Sequence, residues 1–131
     1  MKSKNTAPEI AVKRIYDTKD EEDGFRILVD RLWPRGVKRS EAHIDLWLKE
    51  AGPSTDLRKW FDHEAANWEE FKSDYTFELR KGKALPELLE CLKSHKKVTL
   101  LYAARDQEYN NGVALKQFLT RYVEKQENTG Q

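Results

Sequence analysis

The chain has a single cysteine, Cys91, among 131 residues, so no disulfide can form within it. Its three histidines lie far apart in sequence, and neither they nor Cys91 show the spacing of a metal site. No run approaches the roughly 20 consecutive apolar residues that a membrane span requires. The first residues, MKSKNTAPE, also lack the apolar core of a signal peptide. The sequence therefore implies no metal, no cofactor and no membrane segment, and we expect a cytoplasmic protein.

A net charge of one sign is also missing, because 24 basic residues face 23 acidic ones. No overall basic field points to a nucleic-acid partner, although a local basic cleft remains compatible with these totals. Charged residues make up 36% of the chain against a typical quarter, which indicates a strongly charged surface. The length is that of one domain with its own core.

Three short apolar runs predict strands, near residues 10–16, 26–31 and 97–104. The second and third runs are almost continuously apolar, which is typical of strands buried on both faces. Apolar residues at helical spacing predict helices between and after them. One helix is expected over 41–50, a second after Ser54, a third through Phe71 as far as Gly82, a fourth beginning near Pro86, and a last over about 112–124.

The order of these elements predicts a single α/β domain over residues 9–124, with flexible tails at 1–8 and 125–131. Because helices connect the strands near 26 and 98, those strands should be parallel neighbours. We expect a small, mainly parallel sheet with helices packed on its faces. Three strands make a thin sheet, so one or two further short strands are also expected.

Polar and charged side chains follow both buried runs where the strands end. Carboxyl ends of parallel strands meet at one edge of a sheet, where ligands collect. The candidate ligand-binding residues there are Asp30, Arg31, Trp33, Arg35, Arg105, Asn110 and Asn111, and the candidate catalytic residue is Asp106.

Each candidate has an alternative structural interpretation. The arginines either clamp a phosphate or carboxylate or pair with neighbouring groups, and Trp33 either stacks on a ligand ring or packs in the core. Asp106 is a general base if burial raises its pKa, or else it caps the last helix or holds Arg105. Asn110 and Asn111 bind a ligand or cap that helix, whose free amides suit an anion. His63 either takes part in catalysis or bonds to backbone in a loop.

Five motifs lie between Asp30 and Leu119: DRLWPRG, LWLKEAGPSTDLRKWF, NWEEFKSDYTFEL, TLLYAARDQEYNN and LKQFL. Together they resemble the YeaO-like family, also called domain of unknown function 488, and the resemblance covers the chain roughly from Ile10 to Tyr122. The resemblance implies a small α/β domain of bacteria and archaea and no established reaction. The family usually has Asn and then His after the YAARD segment. Here Asn110 matches and Asn111 replaces the His, so a mechanism that needs an imidazole there is in question.

The leading functional hypothesis is binding of a small anionic ligand, phosphate- or nucleotide-like, in an Arg/Asp-lined cleft. Whether a reaction follows is left open by the sequence, as is the oligomeric state. A nucleic-acid binding module would use the same arginines and lose affinity steeply with salt. A protein-interaction module would show an exposed aromatic patch instead of a cleft. The near-neutral total charge favours the small ligand over nucleic acid.

Overall fold

The computed structural model describes residues 8–129. Its centre is a sheet of four strands, β1 (Glu9–Arg14), β2 (Phe25–Leu28), β3 (Leu46–Trp47) and β4 (Lys97–Tyr102). The spatial order is β1-β4-β2-β3, and every neighbouring pair is parallel. The expected parallel pairing of β2 with β4 is confirmed, with Leu28 opposite Leu101. Strand β3 is the additional short strand that the thin sheet required.

Five helices connect and follow the strands: α1 (Arg39–Ala42), α2 (Thr55–Phe61), α3 (Trp68–Lys81), α4 (Ala84–Ser94) and α5 (Asn111–Thr129). The four longer helices share one apolar core with alternate strand residues, among them Ile27, Val98 and Leu100. The opposite face carries a smaller cluster around Leu28 and Leu101, against which Trp33, Val37 and Ile44 pack from the loops on either side of α1. The single α/β architecture with helices packed on the sheet is therefore as expected.

The prediction of a helix over 41–50 is wrong. Helix α1 ends at Ala42, where the left-handed backbone of His43 (φ of 52°) terminates it, and the chain then forms β3. Ile44, Trp47, Leu48 and Ala51 match helical spacing, but they do not share one face. Ile44 and Trp47 belong to the smaller cluster, whereas Leu48 and Ala51 belong to the main core. An edge strand that divides its side chains between the two faces of the sheet produced a pattern that imitates a helix.

The last helix is longer than predicted. Helix α5 continues to Thr129, so the tail expected over 125–131 is helical for its first five residues. The other residues of the expected tails, 1–7 and 130–131, lie outside the described residues. No helix within residues 8–129 is both long and apolar enough to cross a membrane.

The thiol of Cys91 is half-buried on α4, where it packs against the main core. Burial raises its pKa, and the nearby carboxylates of Glu87 and Glu90 raise it further. We therefore expect native Cys91 to react more slowly with a chromogenic disulfide reagent at neutral pH than the unfolded chain does. Stopped-flow labelling with and without guanidinium measures the two rates. Equal rates would show that the thiol is freely accessible in the native protein.

Candidate functional site

A cavity of about 370 Å³ opens at the carboxyl ends of β2 and β4. This volume lies within the range of small-molecule sites, about 300–1,000 Å³. Its lining comes from the loops after β1, β2 and β4, from α2 and the residues on either side of it, from α3, and from the start of α5. The residues are Tyr16, Asp30, Arg31, Leu32, Trp33, Pro34, Arg35, Pro53, Arg58, Phe61, His63, Phe71, Ala103, Ala104 and Asn111.

The carboxylate of Asp30 joins the two strand ends at this cavity. Its Oδ2 accepts a hydrogen bond from the Ala103 amide at 2.9 Å, and its Oδ1 accepts one from Asn111 Nδ2 at 2.9 Å. The same Asn111 nitrogen also donates to the carbonyl of Val29 at 3.0 Å. Both amide protons of Asn111 are therefore used, and its orientation is fixed by two acceptors.

Burial raises the pKa of Asp30 above its ordinary value. The hydrogen bonds from Asn111 and Ala103 and the positive charge of Arg58 oppose this shift without cancelling it. Asp30 is thus a carboxyl group held partly out of water beside a cavity. Its environment is unlike that of an ordinary surface aspartate.

Three arginines border the cavity. Arg31 Nε donates to the carbonyls of Gly52 and Pro53 at 3.1 and 3.0 Å, while its terminal nitrogens have no hydrogen-bond partner within residues 8–129. Arg35 and Arg58 are exposed, and neither guanidinium has a hydrogen bond or ion pair in that part of the chain. A Cβ at Gly52 would lie 2.9 Å from the Val29 oxygen, so only glycine permits the close approach that anchors Arg31.

Trp33 lines the cavity and also packs against the second face of the sheet. Its Nε1 donates to the carbonyl of Val37 at 2.7 Å, and its ring meets Trp47 edge-on with centroids 5.2 Å apart. The Arg39 guanidinium lies 4.3 Å above the same ring. Trp33 is therefore a rigid wall of the cavity whose orientation does not depend on a ligand.

The other candidates from the second strand end lie outside the cavity. Asp106 Oδ1 accepts the amides of Glu108 and Tyr109 at 2.8 and 2.9 Å, and these bonds lower the pKa of Asp106. A lowered pKa is the opposite of what the general-base interpretation required. Asp106 therefore organises the turn that leads into α5.

Asn110 caps α5 and is 0% exposed. Its Oδ1 accepts the amide of Val113 at 2.9 Å, and its Nδ2 donates to the Asp106 carbonyl at 2.8 Å. Arg105 is exposed, and its side chain has no hydrogen bond or ion pair within the described residues. Of the residues proposed after β4, only Asn111 lines the cavity with Asp30, Arg31, Trp33 and Arg35.

Sequence reasoning missed the contribution of α2 and the residues after it. Arg58 and Phe61 are three apart on α2 and reach the same cavity, a spacing that places them on one side of a helix. His63 follows with a left-handed φ of 55°. Its Nδ1 lies 3.2 Å from the Tyr109 carbonyl, so the proton is on Nδ1 and the expected backbone contact is confirmed. His63 nevertheless also lines the cavity.

No group of three or more His, Cys, Asp or Glu side chains in residues 8–129 is arranged to hold a metal ion. The polar atoms at the cavity are carboxylate, amide, guanidinium and imidazole groups on an aromatic background. Such a set can bind and orient a small charged molecule.

Comparisons with known proteins agree on one family. The family described as the inactive DUF488-N3 subclade matches residues 9–131. YeaO of Escherichia coli strain K12 is 40% identical over 110 residues, which cover 84% of this chain and 96% of that protein. Mb3100c of Mycobacterium bovis and Rv3073c of Mycobacterium tuberculosis H37Rv are each 36% identical over 110 residues, covering 84% of this chain and 92% of each protein. All three relatives are described as uncharacterized proteins. No solved structure matches the chain.

Proposed function

The chain belongs to the inactive DUF488-N3 subclade, and from that premise we propose that it is a cytoplasmic protein that binds a small anionic ligand without transforming it. The ligand is phosphate- or nucleotide-like and occupies the cavity at the carboxyl ends of β2 and β4.

The excess of positive charge around this cavity carries the proposal. Arg31, Arg35 and Arg58 border it with guanidinium nitrogens that have no partner among the described residues, and Asp30 is the only carboxylate in the lining. That carboxylate already accepts hydrogen bonds at both oxygens. A phosphate group would supply the acceptors that the arginines lack, in the bidentate geometry that guanidinium favours.

Binding without catalysis is supported by the groups next to Asp30. Asn111, which holds Asp30 Oδ1, is an amide that neither gains nor loses a proton, and the His63 imidazole in the lining is held to the Tyr109 carbonyl. The family resemblance places a histidine at that position in most members. Asp106, the other acidic candidate, is committed to a turn outside the cavity. The description of the subclade as inactive points the same way.

Phosphate and sulfate should therefore stabilise the native protein at millimolar concentration. An anion present at about ten times its Kd adds about 1.4 kcal/mol to the free energy of unfolding by mass action. Arg35→Ala combined with Arg58→Ala should abolish this specific gain. Thermal unfolding in phosphate or sulfate, compared with chloride at matched ionic strength, measures it.

Lys59→Ala combined with Arg105→Ala is the matched control, because it removes two positive charges from exposed side chains outside the cavity. This pair should keep the full specific response. The control also corrects for stabilisation by exclusion of sulfate from the protein surface, which all variants share. If the cavity pair responds like the wild type, the arginines do not form an anion site, and the protein-interaction alternative takes the place of this proposal.

A further inference from the structure

We propose that the ligand of this cavity is a guanine nucleoside monophosphate, recognised through the N–H groups of its base by Asp30 and Asn111. This inference rests on the proposed anion site and adds the chemistry of the rest of the ligand. The inference is based on two groups that line the same cavity. Asp30 and Asn111 together form a patch that offers a ligand only hydrogen-bond acceptors, and three arginines border the cavity as well.

The patch offers only acceptors because its donors are already used. Asn111 Nδ2 gives both of its protons to Val29 O and Asp30 Oδ1, which leaves Oδ1 as the only polar atom that Asn111 can present. An ionised Asp30 carries no proton, and each of its oxygens has accepted a single bond from the protein. A ligand that meets this patch must therefore bring N–H or O–H donors.

The walls of the cavity are suited to a flat ring. Trp33 and Pro34 lie on the loop after β2, while Phe61 and Phe71 come from α2 and α3. The Trp33 ring is fixed by its bond to Val37 and by its contact with Trp47. Aromatic and apolar walls with a few oriented polar groups are the usual construction of sites for ring-containing ligands.

Among the common purines, guanine presents adjacent N1–H and N2–H donors, which match a carboxylate bidentately. Adenine presents an acceptor, N1, beside its amino group, and that lone pair would face the oxygens of Asp30 and Asn111. Hypoxanthine keeps N1–H and lacks the amino group. The three arginines Arg31, Arg35 and Arg58 border the same cavity, so the phosphate of a bound nucleotide would meet guanidinium donors there.

The test is isothermal titration of the wild-type chain with GMP, IMP, AMP and inorganic phosphate. We expect GMP to bind roughly 10- to 100-fold more tightly than AMP, the range that one bidentate base contact supplies, with IMP in between. Phosphate alone should bind more weakly than GMP and compete with it. Arg35→Ala with Arg58→Ala should weaken phosphate and all three nucleotides together.

Asp30→Asn supplies a second readout, because it should reduce the preference for GMP over AMP while phosphate still binds. An amide at position 30 meets donors at Ala103 and Asn111, so the variant is expected to lose stability, and circular dichroism must show that it is folded. The wild-type ligand series decides the question without this variant.

Two results would overturn the inference in distinguishable ways. Equal affinity for GMP and AMP, together with phosphate binding that depends on Arg35 and Arg58, removes guanine recognition and leaves the anion site in place. Absence of binding by phosphate and by every nucleotide removes both the anion site and the guanine inference.

Discussion

Phe71→Ala is expected to lower the free energy of unfolding by about 3–5 kcal/mol, the range for removing a fully buried aromatic ring. Phe71 is 1% exposed. Its ring stacks on Phe61 with centroids 4.2 Å apart and lies 5.8 and 5.5 Å from the rings of Trp68 and Tyr75. Alanine would leave a void between α2 and α3 that these rings can close only in part. Urea unfolding followed by tryptophan fluorescence measures the loss.

Phe77→Ala is the matched control on the same helix. Phe77 is 61% exposed, and the Lys81 ammonium lies 4.7 Å from the centre of its ring. This substitution should change the free energy of unfolding by less than about 0.5 kcal/mol. A Phe71 variant that unfolds at the same urea concentration as the Phe77 variant would contradict the packing of α3 against α2.

Asp23→Ala is the second substitution with a large expected effect, because it leaves two cations without their counterion beneath the loop that covers the second face of the sheet. Asp23 accepts from Lys13 Nζ at 3.1 Å and from an Arg26 terminal nitrogen at 2.5 Å. Arg26 is 2% exposed and is also held by the carbonyls of Ala42 and His43. Breaking a buried pair on one side typically costs about 3–5 kcal/mol. Chemical denaturation at neutral pH measures this loss.

The same carboxylate gives the stability a pH dependence of known sign. Burial raises the pKa of Asp23, but hydrogen bonds from the Asp20 amide, Lys13 and Arg26 outweigh burial and bring the pKa below its ordinary value of 3.8. The stabilisation is therefore complete above the pKa of the unfolded chain, about 3.9, and is lost as pH falls through the lowered native pKa. Unfolding free energies measured between pH 7 and pH 2 should show this loss in the wild type.

In Asp23→Ala this acid-dependent component should be missing, whereas Glu22→Ala should retain it. Glu22 is the adjacent residue, its side chain is exposed, and its removal should cost less than about 0.5 kcal/mol. If the Asp23 and Glu22 variants have the same stability at every pH, the Lys13–Asp23–Arg26 cluster contributes nothing measurable to the fold.

Sequence patterns predicted most of the fold because most elements have a single periodicity. The runs that became β2 and β4 are almost continuously apolar, since both faces of these central strands are covered. The stripe through Phe71 gave α3 because one side of that helix meets the core. The pattern failed over 41–50, where a two-residue edge strand sends Leu46 to one face of the sheet and Trp47 to the other.

The candidate site was predictable only in part. Asp30, Arg31, Trp33 and Arg35 follow a buried strand directly, so the rule for strand ends located them. The roles of the residues after β4 are set by local hydrogen bonds. Asn110 caps the start of α5 and Asp106 holds the turn before it, and each of these bonds joins residues no more than four apart. The contribution of Arg58 and His63 depends on how α2 packs over the strand ends, a long-range contact that leaves no mark in local sequence.

The position of β4 in the sheet has a consequence for how the chain folds. β4 is the last strand to be synthesised, yet it lies between β1 and β2 and pairs with both. The hydrogen-bonded centre of the sheet therefore cannot assemble until β4 has left the ribosome. Pairing across such sequence separations slows folding, because the loop is closed before its contacts form. A chain that stops before β4 loses its middle strand and leaves β1 and β2 with no partner between them.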